Sequence, residues 1–208
     1  PTVVRYPKGT LPEPLAAVRR LELEDAEKSP YGAGVEGDAS AGEALGEVSA
    51  FDVVDVLLEN RKPADAPQLL LVGVGAMAAH AHEAGRTLEQ ENRAVTVVHP
   101  HWVIPPPGPL VAAAAQADVV IVIEDGLVDG GIGSQLRDAV ENYRAGRSEA
   151  AGPRVWRRIG IPRQFIDTAT RDQLLEDFGM RAPDIAEAAR AAADGAADAP
   201  GVRDLGAE

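Results

Sequence analysis

The stretch that decides the fold is VVIVIEDGLVDGGIGSQLRDAVENYR, residues 119–144. Its first five residues form an unbroken apolar, β-branched run, and a strand of that kind is buried on both faces. Residues 124–133 are acidic and glycine-rich and read as a loop. Leu136, Ala139, Val140 and Tyr143 then recur at helical spacing, so 134–144 is expected as an amphipathic helix with Ser134 as its N-cap. A doubly buried strand followed by a covering helix is one unit of a parallel α/β sheet. Glu124 and Asp125 stand side by side at the strand end. Adjacent strand residues point to opposite faces, so these two carboxylates are not expected to work as an acid–base pair. The backbone N–H groups of the Gly130–Ser134 run gather at the same sheet edge, and a structural or interface role is expected of it.

The same alternation extends in both directions. Residues 53–58, 69–74 and 94–98 read as strands and 76–92 as a helix. The prolines between 105 and 109 break the chain before a short Ala-rich helix at 110–117. Residues 155–159 make a further strand, and Trp156 with Arg157 and Arg158 marks it as an edge or interface strand. A helix at 170–178 opens with Thr170 and Gln173 in capping-box spacing and stops at Gly179. The last helix, 183–193, starts at Pro183 and puts Ile185, Ala188 and Ala189 on one face. The expected fold is a three-layer α/β/α sandwich around a mostly parallel central sheet.

Composition narrows the function. The 208 residues carry 20 basic and 33 acidic side chains, a net charge of −13, so phosphate backbones and anionic lipid are repelled and neither nucleic acid nor membrane is expected as a partner. There is no cysteine, which removes disulfides, thiolate nucleophiles and Cys-ligated metals and agrees with a reducing cytoplasm. No apolar run approaches the roughly 18 residues that a membrane helix needs, so a soluble protein is expected. Residues 22–55 hold ten acidic side chains against Lys28 alone, with five glycines, and 22–50 is read as an acidic, mobile insert. Residues 51–192 form the main domain and 193–208 a frayed tail. Pro1 is not an initiator Met, and the start reads as a cut end.

Candidate chemistry is sparse. Arg5-Tyr6-Pro7-Lys8-Gly9 sets two cations and a phenol on a short extended segment: either a clamp for phosphate or carboxylate, or a plain surface strand end. Gly73-Val74-Gly75-Ala76-Met77-Ala78 formally fits a permissive dinucleotide pattern. The acidic residue expected about 20 positions on is missing, because that strand ends in Val98, His99 and Pro100; the glycines more simply permit a tight strand-to-helix turn. His80 and His82 face different directions on a helix and are read as surface residues. His99 and His101 flank Pro100 and can aim both rings one way, yet no third metal ligand is near in sequence. No complete catalytic constellation is legible.

Five motifs stand in order: RYPKG at 5–9, LLLVGVGAMA at 69–78, VTVVHPHWVIPP at 95–106, IEDGLVDGGIGSQL at 123–136 and IGIPRQFID at 159–167. Together they resemble the C-terminal segment of the 1-deoxy-D-xylulose-5-phosphate synthases, a transketolase-type family. The resemblance implies an enzyme that condenses pyruvate with glyceraldehyde 3-phosphate, at the entry to an isoprenoid precursor pathway, as a cytoplasmic homodimer. Thiamine diphosphate and Mg²⁺ would be held by preceding domains absent from this chain, none by the segment itself, so the isolated segment would be inactive. By the same resemblance residues 1–21 close a middle, pyrimidine-binding domain and its linker, and Arg5, then Lys8, would contact the substrate phosphate. No catalytic, cofactor-binding or metal-binding residue is expected here. His99 and His101 depart from the family, which commonly has an acidic residue and an arginine there. Transketolase itself and the β-subunits of 2-oxoacid dehydrogenases share the glycine-rich turn, and a stand-alone small-molecule binding or regulatory module is the other alternative.

Overall fold

A computed structural model of the chain describes residues 13–21, 52–60, 66–145 and 153–195. Its strands are β1 (Arg19–Arg20), β2 (Val54–Asn60), β3 (Leu69–Gly73), β4 (Val95–Pro100), β5 (Val119–Leu127) and β6 (Val155–Ile161). Its helices are α1 (Ala78–Gln90), α2 (Gly108–Gln116), α3 (Ile132–Ala145), α4 (Arg171–Asp177) and α5 (Ala182–Ala193). The sheet runs in the order β1-β2-β4-β3-β5-β6. Strands β4, β3, β5 and β6 are parallel, while β2 and β1 are added antiparallel at one side.

The apolar runs explain the layering. Along β3, Leu69 and Leu71 point into the layer shared with α1 and α5, whereas Leu70 and Val72 point into the layer shared with α2 and α3. The VVIVI run of β5 divides the same way, Val119, Ile121 and Ile123 to one side and Val120 and Val122 to the other, and all five are buried. A strand with helices on both faces needs apolar residues at every position, and that is what its sequence supplies. The three-layer sandwich with a mostly parallel sheet is thus present as expected, with β6 at the edge.

Several boundaries differ from expectation for local reasons. The first turn after β3 is a 3-10 turn, Gly75–Met77, and α1 proper starts at Ala78. Helix α3 begins at Ile132, so Ser134 lies inside its first turn and is not the N-cap; the carboxylate of Glu124 accepts the first amides in its place. The capping box at Thr170 and Gln173 is formed, with each side chain bonded to the other residue's backbone. Strand β1 was not foreseen, because two exposed arginines carry no apolar pattern; its register on β2 is Arg19 to Val56 and Arg20 to Asp55. The acidic insert at 22–50, residues 1–12 and the chain from 196 lie outside the described residues.

Candidate functional site

Strand order reverses at β3. The connection through α1 steps from β3 to β4 on one side, and the next, through α2, returns past β3 to β5 on the other. Open α/β sheets place ligands at the carboxyl ends of the strands where such a reversal occurs. Here that edge carries the Gly73–Met77 turn, Glu124 and Asp125 at the end of β5, the histidines at the end of β4, and Arg158 on β6. The turn is tied to β5 by Val74 N–H donating to Ile123 O at 2.9 Å. A Cβ on Gly73 would lie 2.7 Å from Ala78 Cα, so the glycine is required for the helix to approach the strand, as the sequence suggested.

Glu124 is the one buried charged residue among those described, 5% exposed. Its Oε2 accepts from Ile132 N–H at 2.9 Å and its Oε1 from Gly133 N–H at 3.2 Å, so one carboxylate answers two otherwise open amides of α3. Burial pushes its carboxyl above the ordinary range, while the Gly133 and Ile132 amides and the Arg158 charge pull it back only in part. Arg158 Nη1 donates to Val128 O at 2.7 Å and to Ser134 Oγ at 2.6 Å, stitching both ends of the glycine loop to β6. Ser134 serves this network through its hydroxyl, which also donates to Val128 O at 3.2 Å.

Asp125 points to the other face and is exposed. Arg171 Nη2, at the start of α4, donates to its Oδ2 at 2.7 Å and approaches Met77 Sδ at 3.8 Å. Glu124 and Asp125 are therefore divided between an interior seat and a surface ion pair, as expected of neighbours on a strand. His80 and His82, read from sequence as surface residues, are half-buried on α1. Burial holds both below the usual histidine range, for His80 with help from the Arg171 charge and for His82 from Arg86.

The rings of His99 and His101 do come together, 5.4 Å apart and tilted by 45°. Each is committed to the fold: His99 Nδ1 lies 3.0 Å from Gly73 O, and His101 Nε2 lies 2.8 Å from Asp55 Oδ2. Arg20 Nε donates to the other oxygen of Asp55 at 3.2 Å. Burial works against ionisation of Asp55, but the hydrogen bonds from His101 and Arg20 outweigh it and hold the carboxyl below its ordinary range. Among the described residues no group of three or more His, Asp or Glu side chains can hold a metal ion.

A family model described as the C-terminal domain of transketolase matches residues 60–185. The chain belongs to the transketolase C-terminal domain family. The 1-deoxy-D-xylulose-5-phosphate synthase of Corynebacterium glutamicum (strain R) is 38% identical over 186 residues, covering 89% of this chain and 24% of that protein. The synthases of Kocuria rhizophila and Rhodococcus jostii (strain RHA1) are 36% and 34% identical, each with 23% of its length covered. The chain thus spans about a quarter of these relatives, their C-terminal part. A solved split-gene transketolase, an inactive β4 tetramer, is 26% identical with a TM-score of 0.53, covering 71% of this chain and 43% of that one. The likeness to the synthases read from five ordered motifs is borne out.

For a transketolase C-terminal domain the arrangement is coherent. The natural anion seat at the sheet's switch point, the first amides of α3, is filled by the domain's own Glu124, and a second anion there would meet that charge. Among the described residues the two carboxylates at this edge do not pair: Glu124 is buried against the α3 amides and Asp125 is exposed beside Arg171. Arg5 and Lys8 lie outside the described residues, so their placement stays an expectation. Sequence reasoning named Arg158 only as a mark of an edge or interface strand and missed Arg171, Arg20 and Asp55. The one available signal was Thr170-Arg171 directly behind a helix cap; the others pair across 24 to 35 residues of chain, which no local pattern reports.

Proposed function

We infer that the chain is the C-terminal part of a thiamine-diphosphate-dependent synthase that joins pyruvate to glyceraldehyde 3-phosphate, with loss of CO2, to form 1-deoxy-D-xylulose 5-phosphate. The observation that carries this is the 38% identity over 186 residues to the C-terminal quarter of such a synthase. In this reading the cofactor and Mg²⁺ belong to the remainder of the polypeptide, where the cofactor supplies the carbanion chemistry. The segment contributes folding, subunit contact and one anion contact. Arg5 and Lys8 hold the aldehyde's phosphate, Arg5 through its planar donor fork. The protein works in the cytoplasm as a homodimer, in keeping with a fold relative that forms an assembly of its own β chains.

The 208-residue chain is mixed with pyruvate, glyceraldehyde 3-phosphate, thiamine diphosphate and Mg²⁺ and followed for CO2 release, with cofactor binding read by calorimetry. No turnover and no binding heat are expected; turnover above background overturns the reading. In the complete polypeptide, Arg5→Ala is expected to raise the KM for the phosphorylated aldehyde and leave that for pyruvate unchanged.

A further inference from the structure

Two rings at the carboxyl end of β4 are only half used by the fold. His99 Nδ1 lies 3.0 Å from Gly73 O, and a carbonyl oxygen can only accept, so this nitrogen carries the ring's proton. His101 Nε2 lies 2.8 Å from Asp55 Oδ2. Arg20 holds the other oxygen of Asp55, and the carboxyl is held below its ordinary range, so it is ionised at neutral pH and likewise only accepts. The proton of neutral His101 is therefore on Nε2. Each neutral ring keeps one bare lone pair, on Nε2 of His99 and on Nδ1 of His101. Neither of these nitrogens has a hydrogen-bond partner among the described residues.

The sheet turns these free nitrogens toward one another. Strand β4 lies between β2 and β3, so Gly73 anchors His99 from one flank and Asp55 anchors His101 from the other. The two nitrogens of an imidazole look out of roughly opposite sides of the ring, and each free one is thus directed away from its own anchor and toward the other histidine. The ring centroids are 5.4 Å apart, with the planes tilted by 45°. A zinc-like ion holds an imidazole nitrogen at about 2.0–2.1 Å, which puts each ring centroid about 3.2 Å from the metal and two rings at a tetrahedral angle about 5.2 Å apart. The observed spacing matches two rings on one ion. The anchors match as well: a ligating histidine donates its other N–H to a backbone carbonyl or a carboxylate, which fixes the tautomer and makes the free nitrogen more basic. Here one ring has the carbonyl and the other the carboxylate.

We propose that His99 Nε2 and His101 Nδ1 together bind one divalent transition-metal ion of the zinc, nickel or copper class, with water in its remaining positions. No third His, Asp or Glu among the described residues joins them, so the site has two protein ligands. The His101 side chain is 45% exposed, and the ion enters from solvent on that side. Imidazole selects ions of this class over Mg²⁺, which takes oxygen ligands. The site is separate from the reaction proposed above and does not depend on it.

The metal-free 208-residue chain is titrated with zinc chloride in a calorimeter, with Mg²⁺ in excess to occupy the acidic surface without competing for imidazole. One ion per chain is expected. His99→Ala and His101→Ala are each expected to weaken it roughly tenfold or more, and Asp55→Asn, which removes the charge behind His101, by about tenfold. The double variant His80→Ala, His82→Ala binds as the wild type does, and far-UV circular dichroism checks that every variant is folded. Nitrogen NMR of the imidazoles needs no variant: zinc moves Nε2 of His99 and Nδ1 of His101 and leaves the rings of His80 and His82 in place. The site is overturned by the absence of saturable binding up to millimolar zinc, by binding that Mg²⁺ displaces, or by binding indifferent to either His99→Ala or His101→Ala.

Discussion

At the end of β5 two adjacent carboxylates occupy different solvents. Glu124 is 5% exposed and bonded to two helix amides, and Asp125 lies in water beside Arg171. Removing the first strands buried donors, so Glu124→Ala is expected to destabilise the domain by about 2–3 kcal/mol in urea unfolding, with Glu124→Gln costing less because one acceptor oxygen remains. Asp55 gives a pH signature. Its folded carboxyl holds its proton less readily than in the unfolded chain. Its contribution is therefore complete above the ordinary carboxylate value of about 4 and fades as pH falls through the lowered folded value. Asp55→Asn is expected to lower stability near neutrality and to converge with the wild type under strong acid, measured as unfolding midpoints across pH. The division between Glu124 and Asp125 was legible in the sequence, because strand neighbours alternate faces. The partners His101, Arg20 and Arg171 were not, since each pair closes across at least 46 residues or depends on a side strand without an apolar pattern.

Among elements, the packing of α1 on β4 turns on one residue. Gly85 sits inside α1, where alanine normally gains about 1 kcal/mol in helix propensity. Here a Cβ would collide with Val97 Cγ2 on β4. Overpacking of that kind costs about 1–3 kcal/mol, so Gly85→Ala is expected to lose about 1 kcal/mol net. In thermal unfolding the double variant with Val97→Ala should lose less than the two single losses together, because the removed methyls admit the new one. Strand and helix identities were readable from period and composition: VVIVI at β5 and the Thr170–Gln173 cap at α4 are where expected. Their ends were not. Helix α3 starts two residues before Ser134 because the capping carboxylate comes from a strand, and helix signals in sequence are local.

For the whole molecule, β1 and β2 are joined through residues 22–53, yet Leu21 N–H donates to Val54 O at 2.9 Å, so the two ends of that connection already meet. Loop-closure entropy grows only with the logarithm of length, and replacing 22–50 by a short Gly/Ser linker is expected to stabilise the domain by about 1 kcal/mol, seen as a higher Tm. A fall in Tm would mean that the insert packs on the domain. Sequence alone determined the layer order, the parallel core and the family, because hydrophobic periodicity and ordered motifs are properties of the chain read in one direction. Only the tertiary structure decided which charges meet. It seated Glu124 under α3, closed Asp125 with Arg171, and joined Asp55 to His101 and Arg20. Those pairings follow from strand order and from which strand ends share an edge, and neither is written in any local stretch of residues.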